Sequence, residues 1–291
     1  MKATVSSSIL HKKVRVRELD IFYREAGPAQ APVILLLHGF PNTSHMYRDL
    51  IRDLAGNYRV IAPDYPGFGL SSRPPVSAFA YTFDHLADIM EAFIDTLGLT
   101  HFAWYMQDYG GPIGFRIISR RPELVKALVI QNANIYEDGL GPGVQEIGAL
   151  QQVGDEQALH TAIVNKLSLE YIKNEHLFGA ANPETVSPDS YELAAFYMSR
   201  PGMEEIQVTL FHNYGTNFPL YPVWQQYLRT YQPPLLVVWG KNDQIFTWPG
   251  AIAYQRDVPA AKVHLLDGSH FMLEEYHEQV ASLMSDFMEK I

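Results

Sequence analysis

Short apolar runs alternate with amphipathic stretches through the first half of the chain. Val33 to Leu37, Val60 to Pro63, Phe102 to Met106 and Ala127 to Gln131 are rich in β-branched or aromatic residues, a pattern that predicts strands. Between them, Ser44 to Leu54, Phe83 to Leu97 and Pro112 to Arg120 carry apolar residues at helical spacing. The last of these stops at Arg121-Pro122, because proline cannot continue the helical hydrogen-bond ladder. Strands that alternate with helices predict an α/β fold with a doubly wound, mostly parallel sheet.

After Gln131 the pattern turns helix-favouring, from roughly Asn134 to Phe218, punctuated by Gly139-Leu140-Gly141-Pro142 and by Pro183, Pro188 and Pro201. The strand pattern resumes with Leu235 to Trp239, introduced by Pro233-Pro234, and with Lys262 to Leu266. The simplest account is one α/β core interrupted by a helical cap: core over 1–133, cap over 134–218, core again over 219–291. No internal repeat or low-complexity tract is visible.

Composition narrows the chemistry. The net charge of −10 argues against nucleic acid and anionic membranes as partners, since both require a cationic face, and leaves a small-molecule substrate as the expected one. With no cysteine, disulfides and thiolate metal sites are excluded, and nothing points to a metal or another cofactor. The first ten residues lack the apolar run of a signal peptide, and no stretch approaches the roughly 20 apolar residues of a membrane span, so a soluble cytoplasmic protein is expected.

Candidate chemistry clusters just past the predicted strands. Phe102 to Met106 runs into Gln107-Asp108-Tyr109-Gly110-Gly111 and then a helix, the strand, sharp turn and helix of a nucleophile elbow. An aspartate there reads equally well as a helix N-cap when taken alone. Three other loops change the balance. His38-Gly39-Phe40-Pro41, Gly240-Lys241-Asn242-Asp243 and Gly268-Ser269-His270-Phe271 also follow strands, so all four loops meet at one sheet edge, where α/β folds bind ligands. Asp108, Asp243 and His270 then stand in the chain order nucleophile, acid, histidine, and the backbone N–H groups of Phe40 and Tyr109 are positioned to form an oxyanion hole.

With these motifs and with Asp64-Tyr65-Pro66-Gly67-Phe68-Gly69-Leu70-Ser71-Ser72, the chain resembles the aspartate-nucleophile group of the α/β-hydrolase superfamily, the epoxide hydrolases and haloalkane dehalogenases. The resemblance covers nearly the whole chain, and its specificity lies in the combination. The main role read for the glycine-rich turn is a tight connection. A carboxylate nucleophile implies displacement at saturated carbon, because attack on a carbonyl would yield an unstable anhydride. Asp108 then forms an alkyl ester, which water activated by His270 hydrolyses while Asp243 steadies the imidazolium.

Two leaving groups compete. The dehalogenases of this group bind halide with a tryptophan directly after the nucleophile and often with a polar residue in the first loop, where this chain has Tyr109 and Phe40. Trp104, Trp224, Trp239 and Trp248 stand at no corresponding position. Epoxide hydrolases supply cap tyrosines instead, and the resemblance points to Tyr214, with Phe211 competing for the same alignment, and to Tyr171, with His160 as another possible donor. His38, Phe40 and Tyr109 are the expected substrate contacts. The pattern thus favours an epoxide hydrolase forming vicinal diols. A dehalogenase with an atypical halide site is the alternative, and a catalytically idle receptor on the same fold is a third reading, against which the full set of Asp108, Asp243 and His270 counts.

Met106 and Asn132 complete the expectations. Met106 occupies an elbow position where glycine is frequent in the group. Asn132 follows a strand at a place where some relatives carry the triad acid, a role an amide cannot fill.

Overall fold

A computed structural model describes residues 8–291. Its strands are β1 (Leu10–Val16), β2 (Leu19–Ala26), β3 (Val33–Leu37), β4 (Arg59–Pro63), β5 (Phe102–Gln107), β6 (Val125–Gln131), β7 (Leu235–Gly240) and β8 (Lys262–Leu266). They form one sheet in the order β1-β2-β4-β3-β5-β6-β7-β8. β1 and β2 pair antiparallel, as do β2 and β4, and every pairing from β4 through β8 is parallel.

Six strands match the predicted runs to within two residues at either end, and β3 and β8 match them residue for residue. Those runs are continuous rather than alternating because both faces of a parallel sheet are covered. On one face Leu35, Leu37, Trp104 and Met106 pack against α2 (Phe83–Thr96) and α3 (Gly110–Arg120). On the other, Ile34, Leu36 and Tyr105 meet α1 (Arg48–Leu54) and the C-terminal helix (Leu273–Met288).

The hairpin of β1 and β2 is an addition to the predicted elements. β1 is an edge strand carrying Lys12, Lys13 and Arg15, and only its last residue is buried. Charge blunts such an edge against pairing with other chains, and it also erases the apolar run that marks a strand in sequence.

Between β6 and β7 the chain is helical: α4 (Pro142–Val153), α5 (Glu156–Asn165), α6 (Leu169–Leu177), α7 (Pro188–Met198), α8 (Met203–Tyr214) and α9 (Tyr221–Tyr231). Local chemistry sets their ends. Asp155, Ser168 and Ser187 cap α5, α6 and α7 by accepting from backbone N–H groups, and Gly154 closes α4 in the left-handed conformation. α9 returns to pack against α3, leaving α4 to α8 over the ends of the parallel strands. α10 (Pro249–Asp257) joins β7 to β8, and α11 is the C-terminal helix. Among the described residues, no helix is long and apolar enough to cross a membrane.

Candidate active site

Asp108 ends the turn from β5 into α3 with φ at +48°, a left-handed conformation that is unfavourable for a side chain with a Cβ. The turn tolerates it because the neighbouring backbone packs very close. A Cβ at Gly110 would lie 2.2 Å from the Leu37 carbonyl oxygen, so only glycine lets α3 start against β3. Met106, at the position where related elbows often have glycine, is accommodated from the helix side. Its side chain lies over Gly114, where a Cβ would come within 2.5 Å of the Met106 methyl.

The Asp108 carboxylate is buried, and its Oδ1 accepts from the Phe40 N–H at 2.7 Å. Burial pushes its pKa up to about 6, against the pull of His270 and of the Phe40 and Tyr109 amides. Oδ2 stands 3.9 Å from His270 Nε2. The carboxylate therefore has one oxygen held by backbone donors and the other facing the imidazole and the cavity.

On its far side, the His270 ring sets Nδ1 2.7 Å from Asp243 Oδ2. Asp243 is itself held. Asn132 Nδ2 donates to Oδ2 at 2.8 Å and the Ile245 N–H donates to Oδ1 at 2.7 Å. Burial works to lower the His270 pKa, but Asp243, with Asp108 and Glu175 beyond it, lifts it to about 9. The ring is an imidazolium in this state, with its charge offset by the surrounding carboxylates. The Gln107 side-chain amide stands 2.8 Å from His270 Nε2. The amide Nε2 faces the ring and can donate to the neutral form; after a half-turn the amide oxygen can accept from the imidazolium, so Gln107 suits both protonation states.

A cavity of about 70 Å³ opens above Asp108, with Phe40 and Tyr109 beside the carboxylate. From α8, Phe211 and Tyr214 both line it; being three residues apart, they share a helix face, so the competition between them for one position disappears. Tyr171 lines it from α6, and its hydroxyl accepts from Lys166 Nζ at 2.6 Å. Burial raises both phenols, Tyr214 well above its usual value, so they act as hydrogen-bond donors and not as phenolates.

His38 and His160 do not reach this space. The expected substrate contact by His38 is corrected: its fully buried ring stacks on Tyr65 at 4.1 Å and turns Nδ1 to the Gly39 carbonyl at 3.1 Å, behind the wall of the cavity. His160 is exposed on α5, 3.5 Å from Glu204. The four tryptophans also stay outside the lining. Trp104 and Trp239 donate their indole N–H groups to the carbonyls of Leu124 and Phe246, Trp224 stacks on Phe115, and Trp248 is half exposed. The turn over Gly67 to Ser72 is structural, with Ser71 and Ser72 accepting from the β2 backbone and Asp64 accepting from Leu70 and Ser44.

Residues 32–276 match the alpha/beta hydrolase fold family. The chain belongs to that family. Over 95% of its length it is 39% identical to a yeast relative, the uncharacterized hydrolase YNR064C of Saccharomyces cerevisiae, of which the match covers 97%. It is 26% identical to a haloalkane dehalogenase of Psychrobacter cryohalolentis, covering 93% of this chain and 88% of that one. Among solved structures, the epoxide hydrolase CorEH superposes with a TM-score of 0.77 at 20% identity, covering 97% of this chain and 99% of the other, a likeness of fold.

Within this hydrolase fold, two cavity groups, Lys166 and Glu175, and Gln107 beside His270 are not among the residues that the sequence motifs point to as functional. Glu175 had a usable signal: it follows Tyr171 by four residues on one helix, so the two share a face. Lys166 had none, since it lies just past the end of α5 and its direction depends on tertiary packing.

Proposed function

We propose that this hydrolase-fold protein opens small organic epoxides to vicinal diols through an alkyl ester on Asp108, with residues 134–218 acting as the cap over the site. The observation that carries the reading is a buried carboxylate with one oxygen held by backbone donors and the other 3.9 Å from an imidazole, in a cavity that Tyr171 and Tyr214 also line. Asp108 Oδ2 attacks a ring carbon and the C–O bond of the epoxide breaks. Tyr171 and Tyr214 hydrogen-bond the departing oxygen.

Alkylation then changes the electrostatics. Esterified Asp108 carries no charge, so one of the groups that keep His270 protonated is gone; the ring gives up the one proton that the new alkoxide takes up and is left neutral, able to act as a base. Water attacks the ester carbonyl carbon and His270 takes its proton. The Phe40 and Tyr109 amides hold the oxyanion, Asp243 steadies the imidazolium, and collapse releases the diol. The fixed environment of Asp243, with Asn132 and Ile245 donating to it, suits this orienting role.

The haloalkane reading draws on the relatives of that name. Against it stands the cavity lining: no indole N–H faces the carboxylate, since all four tryptophans lie elsewhere. The deciding experiment uses H270Q, which retains the nucleophile and removes the base. Incubated with styrene oxide or an aliphatic epoxide, it is expected to accumulate an adduct of the epoxide's mass on the peptide containing Asp108, seen by mass spectrometry. An adduct from alkyl bromides with none from epoxides would overturn the epoxide assignment in favour of halide displacement.

A further inference from the structure

Ring opening leaves an alkoxide, and the two phenols beside it cannot be the final source of its proton. Each is held above its usual range by burial, and neither recovers a lost proton without a partner. The same cavity contains another acid. Glu175, one helical turn after Tyr171 on α6, lines the space above Asp108 and also a second cavity bordered by Asp243 and His270. Its Oε2 is buried with no hydrogen-bond partner, so no donor stabilises charge on that oxygen. The Tyr171 oxygen accepts from Lys166 Nζ at 2.6 Å and its hydroxyl donates to the ionised Glu175; once Glu175 is protonated this bond can reverse, the carboxyl donating to the Tyr171 oxygen and the phenol proton turning to the substrate.

We infer that Glu175 is the proton donor of the ring-opening half-reaction, acting through Tyr171, and that it regains its proton from His270 across the cavity that both border. The inference rests on the epoxide reading above. In the first half, Asp108 Oδ2 bonds to carbon, the epoxide C–O bond breaks, Tyr171 gives its proton to the oxygen and Glu175 replaces it, ending as carboxylate. His270 then passes its proton to Glu175 across the second cavity, which both border, and is left neutral. In the second, water adds to the ester carbon and gives one proton to His270, which passes it to the departing alcohol oxygen. The water's other proton remains on the regenerated Asp108 carboxyl and moves to His270, 3.9 Å away. Epoxide and water are consumed, diol is formed, and every group returns to its starting state.

The charges around Glu175 suit this cycle. Burial pushes it up to about 7, with His270 and Lys166 pulling down and Asp108 opposing them. Tyr109 faces it from the elbow, Asp243 borders the second cavity, and Glu146 on α4 acts on Lys166 and Tyr171. Glu175 is therefore about half protonated near neutrality. The last proton transfer runs from Asp108, at about 6, to His270, at about 9 and 3.9 Å away.

The test is single-turnover formation of the Asp108 ester from an epoxide, followed by quenched-flow mass spectrometry from pH 5 to 9, in the wild type and in E175Q. The wild-type rate is expected to fall as pH rises through about 7, because the donor loses its proton. E175Q is expected to be slower by about 100-fold and to lack that limb. A limb set by His270 would fall near 9 and is thereby distinguished. If E175Q forms the ester at the wild-type rate with the wild-type pH profile, the inference is overturned while the epoxide reading stands. If the wild type forms neither ester nor diol from any epoxide, the epoxide reading fails and takes the inference with it. Should E175Q not fold, Y171F cuts the same relay. It is expected to lose the limb near 7, and retention of that limb at an undiminished rate overturns the inference.

Discussion

As the proposed nucleophile, Asp108 is under two opposed demands. A nucleophile has to be ionised, yet burial resists ionisation and brings its pKa up to about 6. The imidazolium and the backbone donors keep that rise small enough for the carboxylate form to dominate at neutral pH. The sign of the pH effect follows: protonation removes the nucleophile, so the rate of ester formation is expected to fall about tenfold per unit as pH drops below about 6. Single-turnover kinetics down to pH 4.5 would reveal the limb, and a flat acid side would show that Asp108 is not the titrating nucleophile. The triad residues were legible in sequence because each sits directly after a strand. Asn132 was legible only as a residue that could not be the acid; its donation to Asp243 needed coordinates.

At the scale of elements, the turn between β5 and α3 decides whether the Asp108 carboxylate is presented at all. Met106 and Gly114 share one space, the side chain of the strand filling what the helix glycine leaves open. G114A is expected to destabilise the protein by about 1–3 kcal/mol through overpacking. M106A alone removes buried volume and is expected to cost about 2–5 kcal/mol. Combined, the two should be non-additive, the double variant recovering about 1 kcal/mol or more because the new methyl enters space the shorter side chain has vacated. Denaturant melts of the four proteins measure this, and strict additivity would sink the coupling. The strands that make up this layer were readable from pattern because parallel strands covered on both faces are apolar throughout. The β1 and β2 hairpin was not, since an exposed edge is held by backbone pairing and carries little hydrophobic signal.

For the whole molecule, the site depends on how the helices of 134–218 seat on the core. His176 on α6 stacks on Phe271 at 4.1 Å, turns Nδ1 to the Ile172 carbonyl and sets Nε2 3.1 Å from the Asn42 amide. Burial lowers its pKa to about 4, so at neutral pH it is uncharged, with Nδ1–H donating and Nε2 accepting. Arg200 donates to the Gly69 carbonyl at 2.7 Å, and Glu275 accepts from the Asn182 N–H at 2.7 Å. These ties hold α6, and with it Tyr171 and Glu175, over Asp108. N42A, which leaves buried Nε2 unpaired, is expected to speed amide hydrogen exchange in Leu169–Leu177 while leaving β5 and β6 protected. Unchanged exchange in that helix would show that other contacts carry the seating.

The sequence alone determined the parallel core, the helical interruption and the loops bearing Asp108, Asp243 and His270, because strand burial and chain order at one sheet edge are properties of local pattern. It also narrowed the chemistry, since a carboxylate at an elbow suits saturated carbon. Tertiary structure decided what faces the cavity. It turned His38 and all four tryptophans away, admitted both Phe211 and Tyr214, and brought in Lys166 and Glu175 beside the Tyr171 that the insertion's sequence had suggested. The physical reason is that side-chain direction across an interface between a core and an inserted helical layer is set by packing between segments far apart in the chain, which no periodicity within either segment encodes.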